Sequence, residues 1–253
     1  MYGISKYWEV ICVQILVKLE LNKPELPKDF RPVFISLIKN SLSSYGEEFF
    51  DEFYKKRDNI MKKFTFGVRM NRPNFVGNVI QLGGNVISFT LSTADMKEAM
   101  VLYNAMVKNK SKEFPLEHQN IMKIMAVKIL PQYKINANEI VIKMLSPMVL
   151  REHNRETNID RYVDCTCADF ADAAKKIVQA QLSIFAMDEN LLHGFTIVPV
   201  MPKKTVVTAF KYHIDVSLGV YKLTGQSELL NFLYHAGIGS RRSQGFGMFE
   251  VLA

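Results

Sequence analysis

Along residues 8–20, WEVICVQILVKLE, the apolar Val13, Ile15, Val17 and Leu19 alternate with Gln14, Lys18 and Glu20. A period of two predicts a half-buried strand. After the turn NKPELPKDF the period changes. Val33, Phe34, Leu37, Ile38 and Leu42 recur at helical spacing behind Pro32, which a first turn accepts, and the stretch to Asp58 predicts one helix and then a second. KKFTFGVRM predicts a strand, and FVGNVIQLGGNVISFTLST either two strands or a strand pair folded at Gly83-Gly84. Met96, Met100, Leu102, Tyr103, Met106 and Val107 then mark a helical face, and NIMKIMAVKILP returns to strand. Strand, helix, strand, strand, helix, strand is the ferredoxin-like βαββαβ order.

The same order recurs downstream. EIVIKMLSPMVLRE predicts a strand and CADFADAAKKIVQAQLSIF a helix. GFTIVPVMP and KTVVTAFKYHIDVSLGVYKL predict strands joined at Pro202-Lys203, SELLNFLYHAG a helix and GMFEVLA a last strand. Two copies of one pattern predict an α+β protein of tandem ferredoxin-like domains. The polar stretch QYKINAN after Pro131 sets the expected boundary, giving domains 1–131 and 132–253 that pack together.

Composition agrees and narrows the setting. A chain of 253 residues is long for one core, and 48% hydrophobic residues with 17 Phe and 10 Tyr exclude disorder. The net charge of +7 favours an anionic partner, nucleic acid or phosphate. Cys12, Cys165 and Cys167 form no CxxC pair, which points to a reducing, cytoplasmic setting and against a disulfide framework or a metal site. The N-terminal stretch reads as a strand rather than a signal peptide, and no segment approaches the ~18–20 apolar residues that span a bilayer, so no membrane partner is expected.

One segment stands apart: GIGSRRSQGFG, residues 237–247, interleaves four glycines with Ser240, Arg241, Arg242, Ser243 and Gln244. Glycine lets a backbone approach a phosphate with its N–H groups unobstructed. The segment joins a helix to a strand, the reverse of a dinucleotide fingerprint, and no GKS or GKT of a P-loop occurs. Its position, its composition and the tandem topology resemble the repeat-RNA-processing endoribonucleases of CRISPR systems, the "Cas six" family of the RAMP superfamily. MLSPMVLRE, residues 144–152, resembles that family's Ser-Pro strand.

The resemblance implies a RAMP-like, RRM-like fold and metal-independent, cofactor-free cleavage of CRISPR repeat RNA (pre-crRNA). The 2'-hydroxyl upstream of the scissile phosphate attacks it, leaving a 2',3'-cyclic phosphate and a 5'-hydroxyl. The alternative is a non-catalytic RAMP-type subunit that holds repeat or guide RNA in a CRISPR effector complex. Either is expected as a monomer or homodimer. A generic RRM is a third reading, but the exposed aromatic pairs of an RRM sheet are not evident.

The family usually places a catalytic histidine in or just after the helical segment following its first strand, whereas residues 21–117 here contain none. Alignment on FISLIKNSL and KKFTFGV puts Lys39 where the family often has a catalytic tyrosine, Tyr54, Lys55 and Lys56 near the missing histidine, and Lys62 or Lys63 near a catalytic lysine. Tyr45 belongs to the same region. The plainer reading makes these lysines a solvated helix face and the tyrosines a core rim. His153, between Arg151 and Arg155, is the reserve base. The other histidines are expected to be structural or exposed, with His235 a helix-dipole partner. For RNA binding the resemblance points to Gly237, Gly239, Ser240, Arg241, Arg242, Ser243, Gln244, Gly245 and Gly247, with Arg151 and Arg155. Arg241 and Arg242 are expected to be exposed and mobile. Lys203 and Lys204, with Lys211, are either a second RNA contact or lysines guarding a sheet edge.

Overall fold

The computed structural model describes residues 13–55, 62–131, 133–154 and 156–253. Its first half runs β1 (Val13–Leu21), β2 (Glu25–Pro27), α1 (Arg31–Tyr45), α2 (Glu47–Phe50) with a π-helical turn Asp51–Lys55, β3 (Phe64–Arg69), β4 (Asn74–Val76), β5 (Val79–Gln81), β6 (Val86–Thr93), α3 (Met96–Lys108), β7 (Glu113–Pro115) and β8 (Ile121–Ile129). The main sheet has the order β3-β6-β1-β8-β7. Its first four strands are the ferredoxin-like arrangement. The period of two in β1 is realised, with Val13, Ile15, Val17, Leu19 and Leu21 all buried. Against them pack Phe34, Leu37, Ile38 and Leu42 of α1 and Leu102, Ala105 and Met106 of α3.

The second half runs β9 (Glu139–Met144), β10 (Leu150–Asn154), β11 (Ile159–Val163), α4 (Phe170–Ile184), β12 (Thr196–Ala209), β13 (Tyr212–Thr224), α5 (Ser227–Ala236) and β14 (Phe249–Val251). Its sheet order, β12-β13-β9-β14, is that of the first half again. A second core gathers Ile140, Ile142, Ile177, Leu182, Leu223 and Phe249.

Three local expectations are corrected. The fold within residues 74–93 falls at Gly77-Asn78, between β4 and β5, and these join β2 in a small separate sheet. The strand expected over 139–152 breaks at Ser146-Pro147, where Leu145 and Ser146 both donate to the Met248 carbonyl at 2.8 and 3.0 Å, and the chain beyond leaves the sheet to form the β10–β11 hairpin. Pro202-Lys203 is not a turn. β12 runs through both Pro199 and Pro202, with a register shift between Pro199 and Met201, and turns only at Phe210-Lys211. Proline is tolerated because β12 is an edge strand that pairs with β13 alone.

The two halves meet on the rear of the first sheet. On β3, Phe64 and Phe66 point to the first core, while Thr65 and its register partner Ser92 of β6 point the other way, onto α5. Ser92 Oγ donates to the His235 carbonyl at 2.8 Å. Pressed between two sheets, α5 buries Leu229, Leu230, Phe232, Leu233, His235 and Ala236.

Candidate nucleic-acid interface

The glycine-rich segment leaves α5 and turns back between the halves before entering β14. Its glycines have positive φ: Gly237 +77°, Gly239 +101°, Gly245 +85° and Gly247 +79°. A Cβ on Gly245 would meet the Phe66 ring at 2.6 Å, and one on Gly239 the Val149 carbonyl oxygen at 2.6 Å. Glycine serves close packing here, with one neighbour from each half of the chain.

The expected phosphate cradle is corrected on the same grounds. The N–H of Gly237 goes to Leu233, Ile238 to Gly247, Ser240 to Val149, Gln244 to Arg241, Gly245 to Arg242 and Gly247 to Pro147, all backbone carbonyls, while Gly239 donates to Gln181 Oε1. These donors are spent inside the protein. Gly237, Gly239, Ser240, Gly245 and Gly247 are buried, and Ser243 and Gln244 are half-buried. The two segments that carry the family resemblance lock onto each other: Ser146 Oγ accepts from Met248 N at 2.9 Å, and the Pro147 carbonyl accepts from Gly247 at 2.8 Å.

The two arginines part company. Arg242, expected exposed, is 0% accessible, and its Nη1 donates to the Ala236 carbonyl at 2.7 Å. Its guanidinium lies over Phe185 at 5.6 Å, and burial brings its pKa down to about 10 against the field of Glu98. It remains a cation at neutral pH, but one enclosed by protein. Arg31 is a second buried cation, over Phe246 at 4.3 Å and donating to the Gly245 carbonyl at 3.3 Å. Arg241 is half-buried and instead turns to the β10–β11 hairpin, donating from Nη2 to the Tyr162 hydroxyl.

That hairpin gathers a polar cluster on one face. Register pairs Arg151 with Tyr162 and His153 with Asp160. Asp160 Oδ1 lies 2.8 Å from His153 Nδ1, and Oδ2 lies 3.2 Å from Arg151 Nη1 and 3.9 Å from Arg241 Nη2. Partial burial pushes the Asp160 carboxyl up, but the His153 hydrogen bond and the charges of Arg151 and Arg241 outweigh it and hold the group below its ordinary value. On the opposite face Arg161 binds Asp169 and Glu152, fixing the hairpin to α4. His153 is therefore on a strand, β10, paired with Asp160 of β11. Asp160 and Tyr162 were not anticipated. Their signal was the alternation Ile159, Arg161 and Val163 against Asp160 and Tyr162, a second strand of a hairpin.

Among the remaining candidates, Lys39 and Lys62 both place Nζ over the Tyr54 ring, at 4.9 and 4.8 Å. Burial, and after it the Glu98 carboxylate, push the Tyr54 phenol well above its ordinary value. Lys63 is paired with Asp95 at 2.9 Å. Tyr45 sits elsewhere, stacked on Phe49 at 4.9 Å with its hydroxyl accepting from Asn104 at 3.4 Å. On β12, Lys203 is exposed, while Lys204 bridges Asp164 at 2.8 Å and Asp215 at 3.2 Å. Lys56 and Arg155 lie outside the described residues. Among the described residues no group of three or more His, Cys, Asp and Glu has the arrangement of a metal site, and no helix is long and apolar enough to cross a membrane.

Residues 130–251 match the family model described as CRISPR associated protein Cas6, C-terminal. No curated protein matches the chain in sequence. Among solved structures, a RAMP protein described as binding different RNA substrates superposes with a TM-score of 0.80 at 22% identity, covering 95% of this chain and 100% of its own. A Cas6-related protein from Pyrococcus furiosus gives 0.80 at 20% identity, covering 95% of this chain and 98% of its own. A third, described as CRISPR associated protein Cas6, gives 0.77 at 15% identity, with 96% and 100% covered. At such identities the likeness establishes the fold: residues 130–251 match the Cas6 C-terminal model, in a chain whose fold is shared with solved Cas6 and RAMP proteins.

Proposed function

We propose that the protein binds CRISPR repeat RNA and cuts it without a metal ion, by attack of the 2'-hydroxyl on the adjacent phosphate to leave a 2',3'-cyclic phosphate and a 5'-hydroxyl. The observation that carries this reading is the match of residues 130–251 to the Cas6 C-terminal model, a stretch in which the Ser-Pro turn and the glycine-rich segment are locked together. A net charge of +7, with Arg151 exposed on the hairpin and Arg241 half-buried beside it, favours phosphate contacts. The similar RAMP protein described as binding RNA supports the same assignment.

Such chemistry needs a base for the 2'-hydroxyl, a proton for the leaving oxygen and cations for the charge that develops on the phosphorane. Labelled cognate repeat RNA should therefore be cut in EDTA, and substitution of the 2'-hydroxyl upstream of the cut by hydrogen should abolish cutting. Cleavage that requires added magnesium, or that persists in the deoxy-substituted RNA, would overturn the mechanism.

Tyr54 favours a second reading, a RAMP-type subunit that holds RNA without cutting it. A phenol held above its ordinary value by burial is a poorer base than free tyrosine, and Lys39 and Lys62 bear on its ring. Tight binding with no product in the same assay is the outcome that selects this second reading.

A further inference from the structure

We propose that the cutting centre lies on the β10–β11 hairpin, with His153 as the base that takes the 2'-hydroxyl proton, Asp160 as its positioning residue, and Arg151 and Arg241 as the cations facing the phosphate. This rests on the reading of the protein as a repeat-RNA nuclease, and it moves the chemistry from the first helical region of the chain to the second half.

The geometry supplies each part. Asp160 is ionised at neutral pH, so the 2.8 Å contact to His153 Nδ1 is a hydrogen bond in which Nδ1–H donates. That fixes the tautomer with the lone pair on Nε2, the nitrogen pointing away from the carboxylate. The side chains of His153 and Arg151 are each 39% exposed, whereas Asp160 behind them is 27% exposed. The base and Arg151 thus face solvent, while the orienting carboxylate and Arg241, whose side chain is 19% exposed, sit deeper in the cluster. Two guanidinium groups against one carboxylate leave the cluster with net positive charge even when the imidazole is neutral. The Tyr162 hydroxyl receives Arg241 and lies 3.5 Å from Asp160 Oδ2, tying the arginine of the glycine-rich segment to the hairpin. Ser240 Oγ accepts from Arg151 N at 3.3 Å, a second tie between them.

The step balances without a cofactor. Nε2 of His153 takes the 2'-hydroxyl proton as the 2'-oxygen forms its bond to phosphorus, and the phosphorus–5'-oxygen bond breaks. The 5'-oxygen takes a proton from water, and the hydroxide so formed is neutralised by the proton that His153 gives up. Arg151 and Arg241 oppose the charge on the phosphorane oxygens throughout.

Single-turnover cleavage of labelled repeat RNA by the full chain, with RNA affinity and melting temperature measured alongside, tests the assignment. His153→Ala should slow cutting by about a hundredfold or more, the scale of a lost general base, with affinity little changed. Added imidazole should restore part of the rate. His153→Gln keeps a polar side chain beside Asp160 and should be as slow as the alanine variant. Asp160→Asn should lose about tenfold in single-turnover rate at unchanged RNA affinity and melting temperature, because the imidazole loses the acceptor that orients it, and Asp160→Glu should recover part of that rate. A wild type that cuts, paired with a His153→Ala variant within about threefold of it, overturns this centre and leaves the nuclease reading standing. So does a slow His153→Ala variant that imidazole does not rescue. A wild type that binds repeat RNA without cutting overturns both.

Discussion

A methyl group on Gly247 would stand 2.1 Å from the Ile238 carbonyl oxygen, at a φ of +79° that side chains of L-residues avoid. Backbone strain of that kind costs on the order of 1–3 kcal/mol before the clash is counted. Gly247→Ala should therefore lower the melting temperature by at least about 2–4 °C per kcal/mol lost, read by calorimetry. An unchanged melting temperature would show that the segment adjusts at no cost. The glycine spacing was legible in the sequence, and so was the family it pointed to. The purpose of the glycines was not, because a positive φ packed against Phe66 and one kept open for a phosphate require the same residue. Arg242 was illegible for a related reason. Its neighbours in sequence are polar and small, while the groups that enclose it, Phe185 and Glu98, come from distant parts of the chain.

At the scale of elements, the period of two and the period of 3.6 carried most of the fold, and failures came where one residue type has two uses. Pro202 read as a turn, yet an edge strand accepts proline as readily. The turn that does exist, Phe210-Lys211, lacks the Asn-Gly signature although both residues have positive φ, +54° and +69°. Phe210 packs against the small core of Val149, Ala209, Ile214, Val216 and Phe246, but Lys211 is exposed. Lys211→Gly should thus stabilise the protein by about 0.5–1 kcal/mol in denaturant titration, since glycine adopts this conformation without penalty. A loss of stability would mean that the Lys211 side chain earns more than its backbone costs. The β10–β11 hairpin was missed because its first strand runs on from the Ser-Pro turn and was absorbed into the strand before it, taking Asp160 out of view.

Across the whole molecule, the surface between the halves carries a titratable group. His235 is 3% exposed, its ring meets Tyr234 edge-on at 4.8 Å, and its Nδ1 has no hydrogen-bond partner. Burial lowers its pKa to about 4. The unfolded chain, with histidine near 6.5, then binds the proton more readily than the folded one. The resulting contribution to stability is fully present above pH ~6.5 and is lost as pH falls toward about 4, at up to ~1.4 kcal/mol per pH unit. His235→Gln should flatten the stability–pH curve across that window, measured by denaturant unfolding at several pH values. A slope equal to that of the wild type would place the titration elsewhere.

The glycine-rich segment also sets an order of events during synthesis. Thr65 Oγ donates to the Phe246 carbonyl, 181 residues further along, and Arg31 to the Gly245 carbonyl, 214 residues away. At about 5–20 residues per second, roughly ten to forty seconds of translation separate the two partners of the nearer contact. Throughout that time β3 is an edge strand with its rear face uncovered, carrying a Thr65 hydroxyl with its native acceptor still unmade. The rear face of the first half therefore stays uncovered until residues 227–246, which supply α5 and the glycine-rich segment, have been made.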